Sequence, residues 1–240
     1  MIPKIIHYCW FGRKPLPVFA KKCISSWEKY LPDYEIKEWN EDNFDVNIIS
    51  YTKEAYIARK YAFVSDYARL WILYNYGGIY FDTDVEVIRS MDDIILKGSF
   101  MGFEYNRDYL VNPGLGISAI PKLSLYKELL DIYDNLHFNQ LNPVTIVTIT
   151  TRTFEKYGLS KINRTQKIAD IIIYPTDYFA PKDLKTKLLK ITSNTYSIHH
   201  YDASWITPSI KTKFVRLIFG RKGEDIFKYI YYKIKSLTWK

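Results

Sequence analysis

The sequence predicts a single α/β domain that begins with a strand, a helix and a second strand. An apolar run over residues 4–10 predicts a buried strand, and a helix is expected over residues 18–30. Pro32 breaks this helix, and the alternation of side chains from Tyr34 onward predicts the second strand. Strand, helix and strand in this order are the start of a doubly wound fold, and 240 residues fit one domain of that class.

The next predicted helix and strand meet at a pair of glycines. Apolar residues recur at helical spacing over residues 54–76, and Gly77-Gly78 then ends the helix before an extended run over residues 79–88. The remaining strands are expected over residues 99–104, 115–120, 170–174 and 196–200, and the remaining helices over 123–136 and 144–157. The chain contains no internal repeat and no low-complexity segment.

Composition and cysteine usage narrow the class of protein. Hydrophobic residues make up 48% and charged residues 25% of the chain, so a buried core is available and disorder is not indicated. The two cysteines, Cys9 and Cys23, lack metal-type spacing, and a reducing compartment is the simpler interpretation. The first residues do not have the layout of a signal peptide, and no stretch approaches the roughly 20 apolar residues of a membrane span. We therefore expect a cytoplasmic protein.

The basic charge of the chain is concentrated at one end. The formal net charge is +8, and residues 206–240 carry nine basic residues against two acidic ones, which leaves +7 in this segment. An apolar stripe at helical spacing accompanies the charge, formed by Ile226, Ile230, Ile234 and Leu237. Two interpretations stay open for this basic tail: a helix that lies peripherally on the cytosolic face of an anionic membrane, or a helix that packs on the preceding domain, residues 1–205.

Two carboxylates two residues apart give the strongest chemical signal. Asp82 and Asp84 stand in Tyr80-Phe81-Asp82-Thr83-Asp84. In an extended strand their side chains would point to the same side, about 6 to 7 Å apart. Carboxylate oxygens are the ligands that Mg²⁺ and Mn²⁺ prefer, and such an ion completes its shell with diphosphate oxygens and water. A solvated turn with two acids is the alternative, because this spacing alone is common.

The preceding predicted helix contributes two further charged residues. Asp66 and Arg69 are three positions apart, so they lie on one helix face, where they can hold ribose, base or sugar hydroxyls near the carboxylates. A surface ion pair is the alternative. The neighbouring residues make this helix apolar nearly all round, so its charged side chains must be paired or functional, which favours function.

Several motifs, taken in sequence order, resemble one enzyme family. They are Ile2-Pro3-Lys4-Ile5-Ile6-His7 with Trp10-Phe11-Gly12, then Ser65-Asp66-Tyr67-Ala68-Arg69, Tyr74, Gly77-Gly78-Ile79-Tyr80 and Asp82-Thr83-Asp84. Together they resemble glycosyltransferase family 32, the DXD-motif sugar transferases of capsular and surface polysaccharide synthesis, which are distantly similar to glucosylating bacterial toxins. The resemblance covers residues 1–205. It implies a GT-A-type, Rossmann-like α/β fold with a mixed central sheet, a nucleotide-diphosphate sugar donor such as a UDP-sugar, Mn²⁺ or Mg²⁺ as cofactor, and retention of anomeric configuration.

The resemblance also implies roles for single residues. Asp66 and Arg69 match positions that contact the donor sugar, and Asp82 matches a position that contacts ribose and sugar. Asp84 matches the direct metal ligand, and Tyr80 matches an aromatic residue on the nucleotide side. These five residues form the expected centre of the site.

Two further segments match donor contacts of the family. Trp10-Phe11-Gly12 matches the segment near the base and ribose. Asn112 stands where the family has an Asn near the donor sugar, but Asn112-Pro113-Gly114 is equally explained as a turn.

The segment from His199 to Trp205 resembles the closing motif of the family, in which a His completes the metal shell and a Trp covers the donor phosphates. We choose His200 and Trp205 for these roles, so the expected metal ligands are Asp82, Asp84 and His200, and His199 stays open as the alternative histidine. The other two histidines have plainer interpretations. These are a packed strand residue for His7 and a surface residue for His137.

Two other functions remain as alternatives. A metal-dependent nucleotidyltransferase or nuclease also uses paired carboxylates. However, a two-metal site needs a third and a fourth acid grouped with them, which the sequence lacks, and basic residues are not interleaved through the expected catalytic region. A non-catalytic carbohydrate-binding module fits the 17% aromatic content but leaves the charged residues unexplained. We therefore predict a glycosyltransferase whose partners are a nucleotide-sugar and a saccharide or lipid-linked saccharide acceptor, with no nucleic acid.

Overall fold

The computed structural model describes residues 1–105, 108–183, 186 and 188–202, and the basic tail at 206–240, which was expected to be helical, lies outside them. The strands are β1 (Ile5–Cys9), β2 (Glu35–Trp39), β3 (Gly78–Tyr80), β4 (Val85–Val87), β5 (Ser99–Tyr105), β6 (Tyr109–Val111), β7 (Ile117–Ala119), β8 (Gln166–Ile168), β9 (Ile171–Tyr174) and β10 (Ser197–His199). The helices are α1 (Val18–Tyr30), α2 (Ser50–Ile57), α3 (Tyr61–Tyr76), α4 (Asp92–Ile95), α5 (Ser124–Asp134), α6 (Ile146–Glu155) and α7 (Thr176–Phe179), with a 3₁₀ turn at Pro113–Leu115. The predicted α/β class is confirmed.

Two mixed four-stranded sheets and one strand pair frame the fold. The first sheet has the order β2-β1-β3-β7, in which β1 runs parallel to β2 and β3, and β7 is antiparallel to β3. The second sheet has the order β6-β5-β9-β8, with β5 parallel to β9 at its centre. β4 and β10 form the antiparallel pair. The mixed sheet that the family resemblance implied is therefore present.

The first sheet is buried on both faces. Side chains alternate along a strand, and accordingly Ile6 and Ile79 enter one apolar cluster while Cys9 and Tyr80 enter the other. Residues of α2, α3, α5 and α6 complete the cluster around Cys9 and Tyr80, whereas α1, α4 and α7 contribute to the cluster around Ile6. A sheet covered by helices on both faces is the layer arrangement of an α/β domain.

One predicted helix is divided in two. The helix expected over residues 54–76 is α2 and α3, and the break falls at Arg59, whose backbone is left-handed with φ 56°. The backbone N of Lys60 donates to the carbonyl of Ala55, and that of Arg59 donates to the carbonyl of Tyr56. This pair of hydrogen bonds is the Schellman ending of a helix. This helix ending could not be predicted from the sequence, because an arginine takes the position that glycine usually occupies.

His7 joins two strands of the first sheet to the end of α3. The indole N–H of Trp39 donates to its Nδ1 at 3.0 Å, so Nε2 carries the proton and donates to the carbonyl of Gly77 at 3.0 Å. The next residue, Gly78, has φ 99°, and a Cβ there would lie 2.6 Å from the carbonyl oxygen of Ile5, so this position requires glycine. His7 is the packed strand residue that the sequence predicted, and it fixes the end of α3 against β1 and β2.

The buried histidine makes the stability of the fold depend on pH. Burial lowers the pKa of His7 from its ordinary 6.5 to about 4, and the hydrogen bond to Gly77 opposes this shift. In the unfolded chain His7 takes up a proton below pH 6.5, whereas in the folded protein it stays neutral down to about pH 4. The contribution of His7 to the free energy of unfolding is therefore full above pH 6.5. It falls by about 3 kcal/mol as the pH drops from 6.5 through the folded pKa of about 4. Urea unfolding across this range measures the fall.

The variant His7→Gln should lack this part of the pH dependence. His137→Gln is the control and should keep it, because the His137 side chain is 76% exposed and lies on the surface as predicted. Identical pH dependence in the wild type and in His7→Gln would show that another group causes the fall.

Candidate active site

Asp82 and Asp84 lie in the turn that joins β3 to β4. The backbone N of Val85 donates to the carbonyl of Asp82 at 3.0 Å and closes this turn. The extended strand expected over residues 79–88 is therefore wrong at this point. The two carboxylates converge because the chain turns, and not because they alternate along a strand. The Asp82 and Asp84 side chains are 27% and 17% exposed, so both can be reached from solvent.

Arg69 of α3 holds Asp82 in place. Its Nη2 lies 3.1 Å from Oδ1 of Asp82 and its Nη1 lies 3.2 Å from Oδ2, so the contact uses both carboxylate oxygens. The same Nη2 lies 3.1 Å from Oδ1 of Asp66, and Nε donates to the carbonyl of Ser65. Asp66, Arg69 and Asp82 thus form an ion triad. The alternative of a surface ion pair is excluded, because Asp66 and Arg69 are buried.

Tyr80 contacts the ion triad from the core side. Its hydroxyl donates to Oδ1 of Asp82 at 3.2 Å, and the guanidinium carbon of Arg69 lies 4.9 Å from its ring centre. Its surface is only 1% exposed, because alternation along β3 turns the ring into the core. The structure therefore differs from the expectation that Tyr80 faces a nucleotide: its contacts orient Asp82 instead.

Strand β10 brings His199, and not His200, to the carboxylates. β10 pairs with β4 so that His199 stands opposite Val85, directly after the turn, and its Nε2 lies 3.2 Å from Oδ1 of Asp84. His200 instead places its Nε2 2.8 Å from Oε2 of Glu86. Successive residues at the end of a strand face opposite sides. The choice of His200 as the histidine beside the carboxylates is therefore wrong, and His199 takes that place.

Asp82, Asp84 and His199 form a three-residue cluster. One ligand atom from each lies within 4.8 Å of the others, and the part of the chain that the structure describes contains one such cluster. Two carboxylates and an imidazole are a donor set that fits a divalent cation such as Mn²⁺. Nδ1 of His199 is buried and has no hydrogen-bond partner among the described residues. Because Arg69 already contacts both oxygens of Asp82, Asp84 and His199 are the better-placed ligands.

The loop after β6 closes one side of the site. Oδ1 of Asn112 accepts a hydrogen bond from the backbone N of Gly114 at 2.7 Å, and its Nδ2 donates to Oε2 of Glu104 at 2.7 Å. A Cβ at Gly114 would lie 2.5 Å from Oδ2 of Asp82 and 3.4 Å from Nη1 of Arg69. Only glycine lets the backbone approach the ion triad this closely. Asn112 therefore both forms the turn and lies next to the expected sugar contacts.

The Trp10-Phe11-Gly12 segment divides between a cleft and the core. Phe11 is buried against Phe44, and the backbone N of Gly12 donates to Oε1 of Glu41 at 2.6 Å. A cavity of about 320 Å³ follows the ends of β1 and β2, and its lining comprises Trp10, Arg13, Lys14, Pro15, Glu38, Asn40, Glu41 and Asp42. Trp10 is thus the member of the segment that lines a cleft, while Phe11 anchors it.

Burial and neighbouring charges shift the pKa values of the site residues in opposite directions. Burial raises the pKa of Asp66 to about 7, although Arg69 favours its ionised form. The pKa of Asp82 is raised by burial in the same way, again against Arg69. For His199, burial lowers the pKa, but the charge of Asp84 and its neighbours raises it more, so the net shift is upward. A cation held by Asp84 and His199 would relieve the repulsion among the carboxylates.

Glu104 and Tyr201 lie beside the site, and neither was predicted from the sequence to have a role in it. Glu104 of β5 is buried and accepts hydrogen bonds from Asn112 and from the hydroxyl of Tyr201. The available signal was an acid that directly follows an apolar run in the strand expected over residues 99–104, since an acid in such a place needs partners. Trp205, expected to cover the donor phosphates, lies outside the described residues.

Comparison with known proteins identifies a family that part of the chain resembles. Residues 17–101 match the family described as "Glycosyltransferase sugar-binding region containing DXD motif". Inositol phosphoceramide mannosyltransferase 1 of Schizosaccharomyces pombe is 29% identical over 111 residues, which cover 42% of this chain and 33% of that protein. An uncharacterised glycosyltransferase of Acanthamoeba polyphaga mimivirus is 24% identical over 223 residues, which cover 88% of this chain and 86% of that protein. The chain therefore spans about a third of the length of the S. pombe relative and most of the viral one.

A solved structure agrees on the fold. The PaToxG glycosyltransferase is similar with a TM-score of 0.52 at 19% identity, and the match covers 65% of this chain and 69% of that one. This similarity concerns the architecture alone, which is that of a GT-A glycosyltransferase. The resemblance predicted from the motifs is confirmed: residues 17–101 match the DXD sugar-binding region of glycosyltransferases.

Proposed function

We propose that this protein transfers a sugar from a nucleotide-diphosphate sugar to a saccharide or lipid-linked saccharide acceptor, and that the transfer depends on a divalent metal. The convergence of Asp82, Asp84 and His199 to within 4.8 Å is the observation that carries the proposal. Asp84 and His199, with Asp82 beside them, would hold Mn²⁺ or Mg²⁺. When bound, such an ion stabilises the negative charge that develops on the leaving diphosphate.

The residues around the cluster supply binding and orientation. Asp82 is fixed by Arg69, and the lone pairs that the guanidinium does not use can accept hydrogen bonds from ribose or sugar hydroxyls. Arg69 is itself fixed by Asp66, so its positive charge beside the reacting sugar needs no rearrangement during the reaction. The cleft at Trp10 follows the carboxyl ends of two parallel strands, where α/β folds bind ligands, and it suits the base and ribose.

One relative supports a class of acceptor and adds a class of donor to the candidates. The name of the S. pombe relative describes transfer of mannose to a lipid, which supports a lipid-linked acceptor and adds mannose donors to the UDP-sugars as candidates. A role in surface polysaccharide synthesis rests on the family resemblance. A nuclease or nucleotidyltransferase is less well supported, because a two-metal site needs more acids than the one cluster present among the described residues.

The first test of this proposal is metal-dependent hydrolysis of a panel of nucleotide sugars, measured as release of nucleotide diphosphate. Asp84→Ala and His199→Gln should each lower the rate at least about a hundredfold, because the charge on the leaving group loses its stabilisation. His200→Gln is the matched control and should keep the wild-type rate, since His200 contacts Glu86 instead. Wild-type activity of Asp84→Ala in a controlled metal titration would show that Asp84 is not a metal ligand.

We further propose that the enzyme retains the anomeric configuration of the donor. A double displacement needs a free carboxylate as nucleophile. Both oxygens of Asp82 contact Arg69, and Asp84 is the proposed metal ligand, so neither carboxylate is suited to this role. Departure of the diphosphate and arrival of the acceptor hydroxyl on the same face of the sugar then give retention. Proton NMR of the first product should show the anomeric configuration of the donor. A product with the opposite configuration would exclude this mechanism.

We also propose that the basic tail attaches the enzyme to the cytosolic face of an anionic membrane. The support is the +7 charge of residues 206–240 together with their apolar stripe. None of the described helices is both long and apolar enough to cross a bilayer. The attachment that we propose is peripheral and would bring the enzyme to a lipid-linked acceptor.

Vesicle sedimentation tests the attachment. The protein should pellet with anionic vesicles at low salt and be released at high salt, because the Debye length falls from about 10 Å at 0.1 M to about 3 Å at 1 M. Replacement of Lys228, Lys233 and Lys235 by Gln should weaken binding. The same replacement of Lys21, Lys53 and Lys97, which are exposed in the described domain, is the control for net charge. Equal loss of binding in both triple variants would show that the tail has no special role.

A further inference from the structure

Glu104 is a buried acid that the proposed reaction does not use. It is 7% exposed on β5, between Phe103 and Tyr105. Burial raises the pKa of its carboxyl, while hydrogen bonds from Asn112 and Tyr201 favour the ionised form. A buried carboxylate costs free energy unless it is well paired. Its partners therefore indicate what it does.

One chain of contacts leads from Glu104 to Asp82. Oε2 of Glu104 accepts a hydrogen bond from Nδ2 of Asn112 at 2.7 Å, and Oδ1 of Asn112 accepts one from the backbone N of Gly114 at 2.7 Å. Gly114 lies so close to Asp82 that an added Cβ would be 2.5 Å from Oδ2. The position of Glu104 therefore limits where the loop, and with it Asp82, can lie.

A second chain of contacts leads from Glu104 to Asp84. The hydroxyl of Tyr201 donates a hydrogen bond to Glu104, and the ring of Tyr201 packs edge-on against His199 with centroids 4.1 Å apart. His199 in turn lies 3.2 Å from Oδ1 of Asp84. Tyr201 has a left-handed backbone with φ 54°, a conformation that persists only where surrounding contacts hold it. The hydrogen bond to Glu104, the ring contact with His199 and packing against the apolar cluster around Ile6 are contacts of this kind.

We propose that Glu104 is a positioning residue that sets both carboxylates of the DXD turn at once, Asp82 through Asn112 and Gly114, and Asp84 through Tyr201 and His199. The two branches come from loops that are distant in the sequence, and Glu104 is the residue where they meet. The inference rests on the proposed function for its catalytic meaning. Outer partners of metal ligands orient those ligands, and their loss weakens metal binding about 10- to 100-fold.

Calorimetric binding of Mn²⁺ to the full-length protein tests the proposal. Tyr201→Phe removes one hydroxyl and keeps the ring on His199, and Glu104→Gln keeps an acceptor for Asn112 but removes the charge. Each variant should weaken Mn²⁺ binding by about tenfold or more. The double variant should bind no more weakly than Glu104→Gln alone, because both changes break the same chain of contacts.

A second tyrosine–glutamate hydrogen bond provides the matched control. The hydroxyl of Tyr157 donates to Oε2 of Glu128 at 2.6 Å on the exposed surface of the domain. Tyr157→Phe and Glu128→Gln should leave Mn²⁺ binding unchanged. Wild-type Mn²⁺ affinity in both Glu104→Gln and Tyr201→Phe, or additive losses in the double variant, would overturn the proposal.

A measurement without metal separates this inference from the proposed function. The imidazole NMR resonances of His199 should shift in Glu104→Gln and in Tyr201→Phe and should stay unchanged in Tyr157→Phe. If the wild type bound no Mn²⁺, the proposed metal role would fail, and these resonances would still decide whether Glu104 positions His199. Unshifted His199 resonances in both variants would contradict the positioning role.

Discussion

The site depends on one buried guanidinium. Arg69 contacts both oxygens of Asp82 and one oxygen of Asp66, and all three groups lie where burial alone would disfavour their charges. Removing one partner from such a network leaves an uncompensated buried charge and typically costs about 3 to 5 kcal/mol. The triad therefore fixes the distance between α3 and the turn after β3. The rest of the site is arranged around that distance.

The surrounding elements accommodate the triad by close approach of their backbones. Gly114 brings the loop after β6 against Asp82 and Arg69, and Gly78 brings the start of β3 against the carbonyl of Ile5. The hydroxyl of Tyr80 donates a hydrogen bond to Asp82. The pairing of β10 with β4 places His199 next to Asp84, although the two residues are distant in the sequence. The site thus joins segments that are distant in the sequence. Its geometry follows from the sheet as a whole and not from any single motif.

Much of this arrangement could be predicted from the sequence, because several signals agreed locally. α1 spans the expected residues 18–30. The apolar pattern of α3 required its charged residues to be paired or functional, and Asp66 and Arg69 are paired. The glycine pair at Gly77-Gly78 marked the end of α3 and the start of β3. Apolar periodicity and turn residues are properties of neighbouring positions, so they can be read from the chain alone.

The errors came from features that depend on tertiary contacts. His199 and His200 are adjacent, and the pairing of β10 with β4 decides which one faces Asp84. Arg59 ends α2 in a left-handed conformation without the glycine that would have announced it. Glu104 acquires its partners only when the loop at Asn112 and the chain at Tyr201 fold onto β5.

The location of a bound ion decides whether Asp84 and His199 form the metal site. Crystals grown with Mn²⁺ and UDP can be measured on both sides of the manganese absorption edge, which identifies the metal by its anomalous scattering. A manganese peak is expected in coordination contact with Asp84 and Nε2 of His199, on the side of the turn that faces the bound diphosphate. A peak beside Glu86 and His200, or bound UDP with no manganese at Asp84, would contradict this assignment.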